Sequence, residues 1–242
     1  MIVQACLNGA RPHGYHPRLP VTPADLADDA AAVVRAGAGE IQLHVRDGEC
    51  RESLAPADVD VTLAAVRAVV PGTLVGISTG AWIELDDDRR LAHIAAWREL
   101  PDYASVNLSE PGATAVIERL HRRGIGIEAG LAAPTDAERL VRLDLAILAM
   151  RVLIEIGEQE LAEAAAMADG ILAVLAQAGV RKPILLHGQD GTVWAFVERA
   201  FAQGFSTRVG LEDGTTLPDG SPAPCNVELV EAALQFRRRA HV

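Results

Sequence analysis

Cysteine is scarce in this chain: three residues in 242, an odd number, with no Cys-x-x-Cys pair. That argues against a disulfide framework and fits reduced thiols in a cytosolic protein. Positive charge is in deficit too, 22 Lys and Arg against 33 Asp and Glu, for a net charge of −11. The balance argues against a nucleic-acid partner and gives no reason to expect an anionic membrane surface. The one basic run, Arg237-Arg238-Arg239, reads as a helix-end triplet that complements the helix dipole. No apolar run approaches the ~18 residues of a membrane span. The opening Ile2-Val3-Gln4-Ala5-Cys6-Leu7 is too short, and wrongly flanked, for a signal peptide. There is no GxGxxG fingerprint after the first strand, where Asn8-Gly9-Ala10-Arg11-Pro12 stands instead, and no GxxxxGK[ST] phosphate loop.

What is present is a repeating alternation. Half the residues are apolar and the mean hydropathy is +0.17, enough for a large buried core. Short apolar runs predict strands at Val3–Leu7, Glu40–Asp47, Leu74–Ser78, Tyr103–Asn107, Ile125–Ala129, Val152–Ile156, Ile184–His187 and Thr207–Leu211. Helical patterns lie between and after them. Thr22-Pro23-Ala24-Asp25 opens the first, with a Thr N-cap, Pro at the first helical position and an acid at the third; Gly37 stops it. Further helices are expected over Ala55–Val70, Asp86–Leu100, Pro111–Arg123, from about Thr135, then Glu158–Ala178, Thr192–Gln203 and Asn226–Arg239. Eight βα units with no linker between them imply a parallel sheet closed into a (β/α)8 barrel, a single domain over residues 1–242. The main rival is an open doubly wound sheet.

The strand ends carry the chemistry. In Glu40–Asp47, Ile41, Leu43 and Val45 alternate with Glu40, Gln42, His44 and Arg46. Alone, this stretch also fits a solvated edge strand. Turning the β-branched and Leu residues of every strand toward the helices leaves Asn8, His44, Ser78, Asn107, Glu128, Glu155, His187, Arg208 and Glu212 at the inward ends. A barrel holds its catalytic groups at those carboxyl ends. A merely solvated rim needs only Ser, Asn and Gln, whereas this one has carboxylates, imidazoles and an arginine. In Arg208-Val209-Gly210-Leu211-Glu212-Asp213, the adjacent acids can divide their labour, one binding a metal while the other moves a proton. Alone, the same stretch reads equally as an ion pair beside a loop cap. The cysteines have no neighbouring base. The tryptophans read as packing, with Trp82 a candidate wall of the pocket.

The combination of Pro20-Val21-Thr22-Pro23, His44-Val45-Arg46-Asp47, Ser78-Thr79-Gly80, Ser105-Val106-Asn107 and Arg208-Val209-Gly210-Leu211-Glu212-Asp213 resembles the β-keto acid cleavage enzymes, from Ala5 to about Val230. The resemblance implies a barrel with zinc at its mouth, in which a β-keto acid exchanges acyl groups with acetyl-CoA to give acetoacetate and a new acyl-CoA. It puts the metal ligands at Gln42, His44 and Glu212, the general base at Asp213 and its partner at Arg208. It puts substrate contacts at Asn8, Arg11, Ser78, Thr79, Gly80, Ser105, Asn107 and Glu128. It implies a homo-oligomer, a dimer or tetramer.

Two departures stand out. Gln42 occupies the place of the first metal histidine, and an amide oxygen is a weak zinc ligand. Gln42 then still ligates or orients a water, or another group such as His187 supplies the nitrogen, or the metal and the activity are changed. Arg11 stands where the type member carries an acid, which implies a neutral or anionic substrate tail. The alternatives left open are a metal-dependent carbon–carbon lyase of the aldolase type, working without coenzyme A, and a non-catalytic barrel that binds a carboxylate.

Overall fold

A computed structural model describes residues 1–239. Among these, the strands are β1 (Val3–Cys6), β2 (Glu40–Leu43), β3 (Leu74–Ser78), β4 (Tyr103–Asn107), β5 (Gly126–Leu131), β6 (Arg151–Ile156), β7 (Ile184–Gly188) and β8 (Thr207–Val209). The helices are α1 (Pro23–Ala36), α2 (Pro56–Val69), α3 (Asp87–Ala96), α4 (Ala113–Arg122), α5 (Pro134–Arg142), α6 (Leu161–Gln177), α7 (Val193–Ala202) and α8 (Asn226–Arg239). All ladders are parallel, in the order β7-β6-β5-β4-β3-β2-β1-β8. The ends of that order meet through a parallel bridge, Leu185 to Ser206. There Leu186 N–H donates to the Ser206 carbonyl and Ser206 N–H to the Ile184 carbonyl. The result is a single (β/α)8 barrel.

Local chemistry explains the element ends. The Thr22 hydroxyl accepts from Asp25 N–H and the Asp25 carboxylate from Thr22 N–H, a reciprocal cap that starts α1. Gly37 ends it at φ 110°, a left-handed conformation that suits glycine. Helix α3 stops at Ala96 rather than the expected Leu100. Trp97 is extended there (φ −56°, ψ 137°), and Asp60 accepts from the Arg98 and Glu99 N–H groups. Strand β2 ends at Leu43, four residues before the expected Asp47, because the Asn8 side chain takes over the ladder at His44. Strand β8 ends at Val209 rather than Leu211. A Cβ on Gly210 would lie 1.8 Å from the Cys6 carbonyl oxygen, so the chain crosses β1 closely and turns, with Asp213 and Gly214 N–H both donating to the Gly210 carbonyl.

The outward strand residues Val3, Ala5, Ile41, Leu43, Val75, Ile77, Val152 and Ile154 are fully buried against the helices and form the apolar core. The barrel axis is polar instead. Arg151 forms a two-bond ion pair with Glu40 (2.8 and 2.5 Å), bonds Glu128 through Nε, and lies over the Tyr103 ring at 4.6 Å. Tyr103 OH donates to the Ile41 carbonyl (2.7 Å) and accepts from Gln4 Nε2 (2.8 Å). This network plugs the barrel below the mouth.

Candidate active site

At the carboxyl ends of the strands lies a cavity of about 370 Å³. His44, Ser78, Trp82, Ser105, Asn107, Glu155, Arg208, Glu212 and Arg11 contribute to its walls, with Leu153 on its floor and Gln189 on its rim. Trp82 therefore is a wall of the pocket. Trp97 is buried, and Trp194 stacks on Phe236.

His44 is fixed from three sides. Its backbone N–H donates to Asn8 Oδ1 (2.8 Å), and its carbonyl accepts from Asn8 Nδ2 (2.9 Å). Its Nδ1 is 2.5 Å from Glu52 Oε1, and Trp82 stacks on the ring at 6.4 Å between centroids. Its Nε2 faces Glu212 Oε1 at 3.7 Å. Burial alone pulls the imidazole pKa down. Glu212 and Glu52 outweigh it and raise the value to about 9.

On the opposite side one guanidinium gathers three acids. Arg208 Nη2 lies 2.9 Å from Glu212, 3.0 Å from Asp213 and 3.2 Å from Glu155. His187 stands between Asp213 (3.4 Å from Nδ1) and Glu155 (3.3 Å from Nε2). Although burial opposes it, the His187 and Arg208 contacts hold Glu155 down at about 2. Burial pushes Asp213 up to about 6 despite Arg208. Glu212 is driven well below the carboxylate range by Arg208 and His44, against its own burial. Adjacent in sequence, the two acids are thus divided in space. Glu212 lies on the cavity, and Asp213 lies fully buried behind Arg208 with Oδ2 unpartnered.

The other expected contacts fall into two groups. Ser78, Ser105, Asn107 and Arg11 reach the cavity. Arg11 is pinned there, with Nε donating to the Glu212 carbonyl and Nη2 to Asp190. Asn8 has both amide atoms committed to the His44 backbone. Thr79 has its hydroxyl donating to the Ser105 carbonyl (2.7 Å). Gly80 lies under Trp82, whose Cη2 would be 2.3 Å from an added Cβ. None of these three lines the cavity. Glu128 is a correction. Strand β5 runs on to Leu131, so Glu128 sits below the mouth, fully buried in the Arg151 network and out of reach of a substrate tail.

The candidate metal donors do not all converge. His44 Nε2 and the Glu212 carboxylate converge, and Glu212 Oε2 is buried without a partner. If the Nδ1 proton faces Glu52, a bare Nε2 lone pair would face a carboxylate. A cation between them, a proton or a metal ion, resolves that conflict. Gln42 does not join the pair: its Nε2 donates to Ser105 (3.3 Å) and its unpartnered Oε1 lies over Gly76. His187 lies near Glu155 and Asp213 with its Nε2 free of hydrogen bonds, but it does not line the cavity with His44 and Glu212. Among the described residues no set of three or more His, Cys, Asp and Glu is arranged to hold a metal. Two protein donors therefore fit a divalent ion, and the rest of its shell falls to water or substrate oxygens.

Sequence reasoning missed Glu52, which lines no strand. Its only signal is Asp47-Gly48, a turn pair that folds the chain back antiparallel and bridges Arg46 to Glu52.

The barrel gathers carboxylates, imidazoles and an arginine around a cavity at the carboxyl ends of its strands, where barrel enzymes hold their active sites. The chain belongs to the beta-keto acid cleavage enzyme family, whose sequence model matches residues 1–184 and 162–241. The 3-keto-5-aminohexanoate cleavage enzyme of Fusobacterium nucleatum is 25% identical over 255 residues, covering 98% of this chain and 91% of that protein. The apo structure of ObcA superposes with a TM-score of 0.72 at 18% identity; it matches 90% of this chain, which spans only 61% of that longer one. The tryptophan synthase alpha chain of Legionella pneumophila gives 0.60 at 14% identity, covering 98% of this chain and 92% of that one. These likenesses between structures concern the fold alone. Among the described residues no helix is long and apolar enough to cross a membrane.

Proposed function

We propose that the protein exchanges acyl groups between a β-keto acid and acetyl-CoA, releasing acetoacetate and a new acyl-CoA. The observation that carries this reading is the division of Glu212 from Asp213 around Arg208. One acid faces the cavity beside His44, and the other is a shielded carboxylate with a pKa of about 6. That value suits a base working near neutrality.

In the cavity the substrate carboxylate meets Ser78, Ser105 and Asn107, hydroxyl and amide donors that set its orientation. Asp213 takes the C2 proton at Oδ2, the oxygen no protein group engages, once the Arg208 side chain in front of it moves aside. The resulting carbanion attacks the thioester carbonyl of acetyl-CoA, and coenzyme A leaves as thiolate. The thiolate then attacks the original keto carbon. The bond from that carbon to C2 breaks, giving the new acyl-CoA and the acetoacetate carbanion, which recovers the proton. Arg208 pairs with Glu155, Glu212 and Asp213 and offsets their charge beside the reacting carbons. A divalent metal, zinc by preference, would be held by His44 and Glu212 and would supply a Lewis acid for the keto oxygen.

The test is to incubate the pure, zinc-supplemented protein with a panel of β-keto acids and acetyl-CoA. Acetoacetate from at least one member, abolished by Asp213→Asn, is the expected result. Folded protein that makes none from any member contradicts the proposal. Cleavage without coenzyme A supports the lyase alternative.

A further inference from the structure

The position of His44 depends on a residue outside the family's matched motifs. After β2 the chain runs through His44–Arg46, turns, and returns. Asp47 N–H donates to the Arg51 carbonyl (2.8 Å), and Ser53 N–H donates to the Val45 carbonyl (3.0 Å). The Asp47 carboxylate accepts from the Glu49 and Arg51 N–H groups and from the Arg51 side chain. Cys50 sits at φ 63° in the turn. Ser53 is tied to Asp58 (2.6 Å) at the start of α2. This hairpin has one geometric result: it carries Glu52 back beside the ring of His44.

Both Glu52 oxygens are used there. Oε1 lies 2.5 Å from His44 Nδ1, and Oε2 accepts from Trp82 Nε1 at 2.9 Å. The Glu52 side chain is 12% exposed. Trp82 comes from the loop after β3, so the ring of His44 is set by two loops as well as its own strand. Asn8 holds the His44 backbone, which leaves the side-chain torsions as its remaining freedom. Glu52 removes them. A carboxylate at Nδ1 keeps the proton on that nitrogen and aims Nε2 at Glu212 and the cavity.

We propose that Glu52 is a positioning residue for His44, itself held by the Trp82 indole N–H, and that this pairing presents His44 Nε2 to the cavity for a cation. The proposal rests on the reading of His44 as a site residue, but its geometric part is independent of the reaction. If Nε2 carries a proton, Nδ1 still donates to Glu52. If Nε2 carries a metal, Nδ1 still donates to Glu52.

The experiment uses the full chain and two readouts. The first is the proton NMR spectrum of protein labelled with ¹⁵N histidine. The expected result is a far-downfield, exchange-protected Nδ1–H signal assigned to His44 by its loss in His44→Gln. It disappears in Glu52→Ala and shifts in Trp82→Phe, which keeps an aromatic ring but drops the indole N–H. The second is zinc titration by calorimetry. Glu52→Ala is expected to weaken zinc binding at least tenfold, with Glu52→Gln restoring part of it. Circular dichroism and thermal unfolding identify any variant that fails to fold, and Trp82→Phe keeps the question decidable in that event. Absence of the signal in the unmodified protein, or its persistence in Glu52→Ala, overturns the proposal. If the unmodified protein binds no zinc while the signal behaves as expected, the metal reading fails and the positioning role stands.

Discussion

The Asn8 side chain and the His44 backbone are joined twice, by 2.8 and 2.9 Å hydrogen bonds that continue the β1–β2 pairing past its last ladder pair, Cys6–Gln42. A side chain thus does the work of a strand, and the chain is free to leave the ladder at the point where the imidazole is needed. Asn8→Ala leaves a buried N–H and a buried carbonyl unpaired on His44. The expected loss of stability is about 2–4 kcal/mol, measured by urea unfolding. A loss under about 0.5 kcal/mol would show that His44 is held by other means.

That relationship also shows what was legible beforehand. The period-two pattern of Ile41, Leu43 and Val45 set the facing of His44 correctly, because facing depends only on which residues meet the helices. Strand length was not legible, since β2 ends where an asparagine eight residues into the chain intervenes. Length also decided Glu128: parity turned it inward, but two further residue pairs of β5 left it below the mouth. Glu52 was missed because its contact depends on a hairpin outside any strand, signalled only by the Asp47-Gly48 turn pair. The eight βα units were legible because short apolar runs alternate with helical patterns along the whole chain, and some boundaries, Thr22-Pro23 and Gly37 among them, carry strong cap signals.

Among the described residues Arg208 is the one guanidinium paired with all three carboxylates, Glu155, Glu212 and Asp213. Arg208→Met removes the cation and leaves buried carboxylates facing one another. The expected cost is about 3–5 kcal/mol at pH 7, with partial recovery in acid as the carboxylates take up protons. Denaturant unfolding at pH 7 and pH 5 checks both parts. Equal losses at the two pH values would contradict the cluster account.

Asp29 on α1 offers a pH test away from the cavity. Burial raises its pKa to about 6, although Asn226 Nδ2 donates to it at 2.6 Å. The folded state therefore binds its proton more tightly than the unfolded state. This group's contribution to stability falls as pH rises from about 4 to about 6, and the penalty then stays. Asp29→Asn keeps an oxygen for Asn226 and removes the charge. It should raise stability at pH 7.5 by on the order of 1–2 kcal/mol and have little effect at pH 4. Thermal unfolding at the two pH values checks this, and a variant less stable at pH 7.5 contradicts it.

Gln42 is turned toward Ser105 and Gly76 and away from the His44–Glu212 pair. An imidazole at that position would add a nitrogen donor beside His44. Gln42→His is expected to tighten zinc binding at least tenfold in calorimetric titration. Unchanged affinity would mean that the site is organised around two protein donors only.

The most direct measurement follows carbon. The protein is given a β-keto acid that it consumes, together with acetyl-CoA labelled with ¹³C in both acetyl carbons, and the products are read by NMR and mass spectrometry. Acyl exchange predicts acetoacetate labelled at C3 and C4, and an equal amount of unlabelled new acyl-CoA. Consumption of the β-keto acid with no label in the product, or at the same rate without any thioester, would contradict acyl exchange at this site.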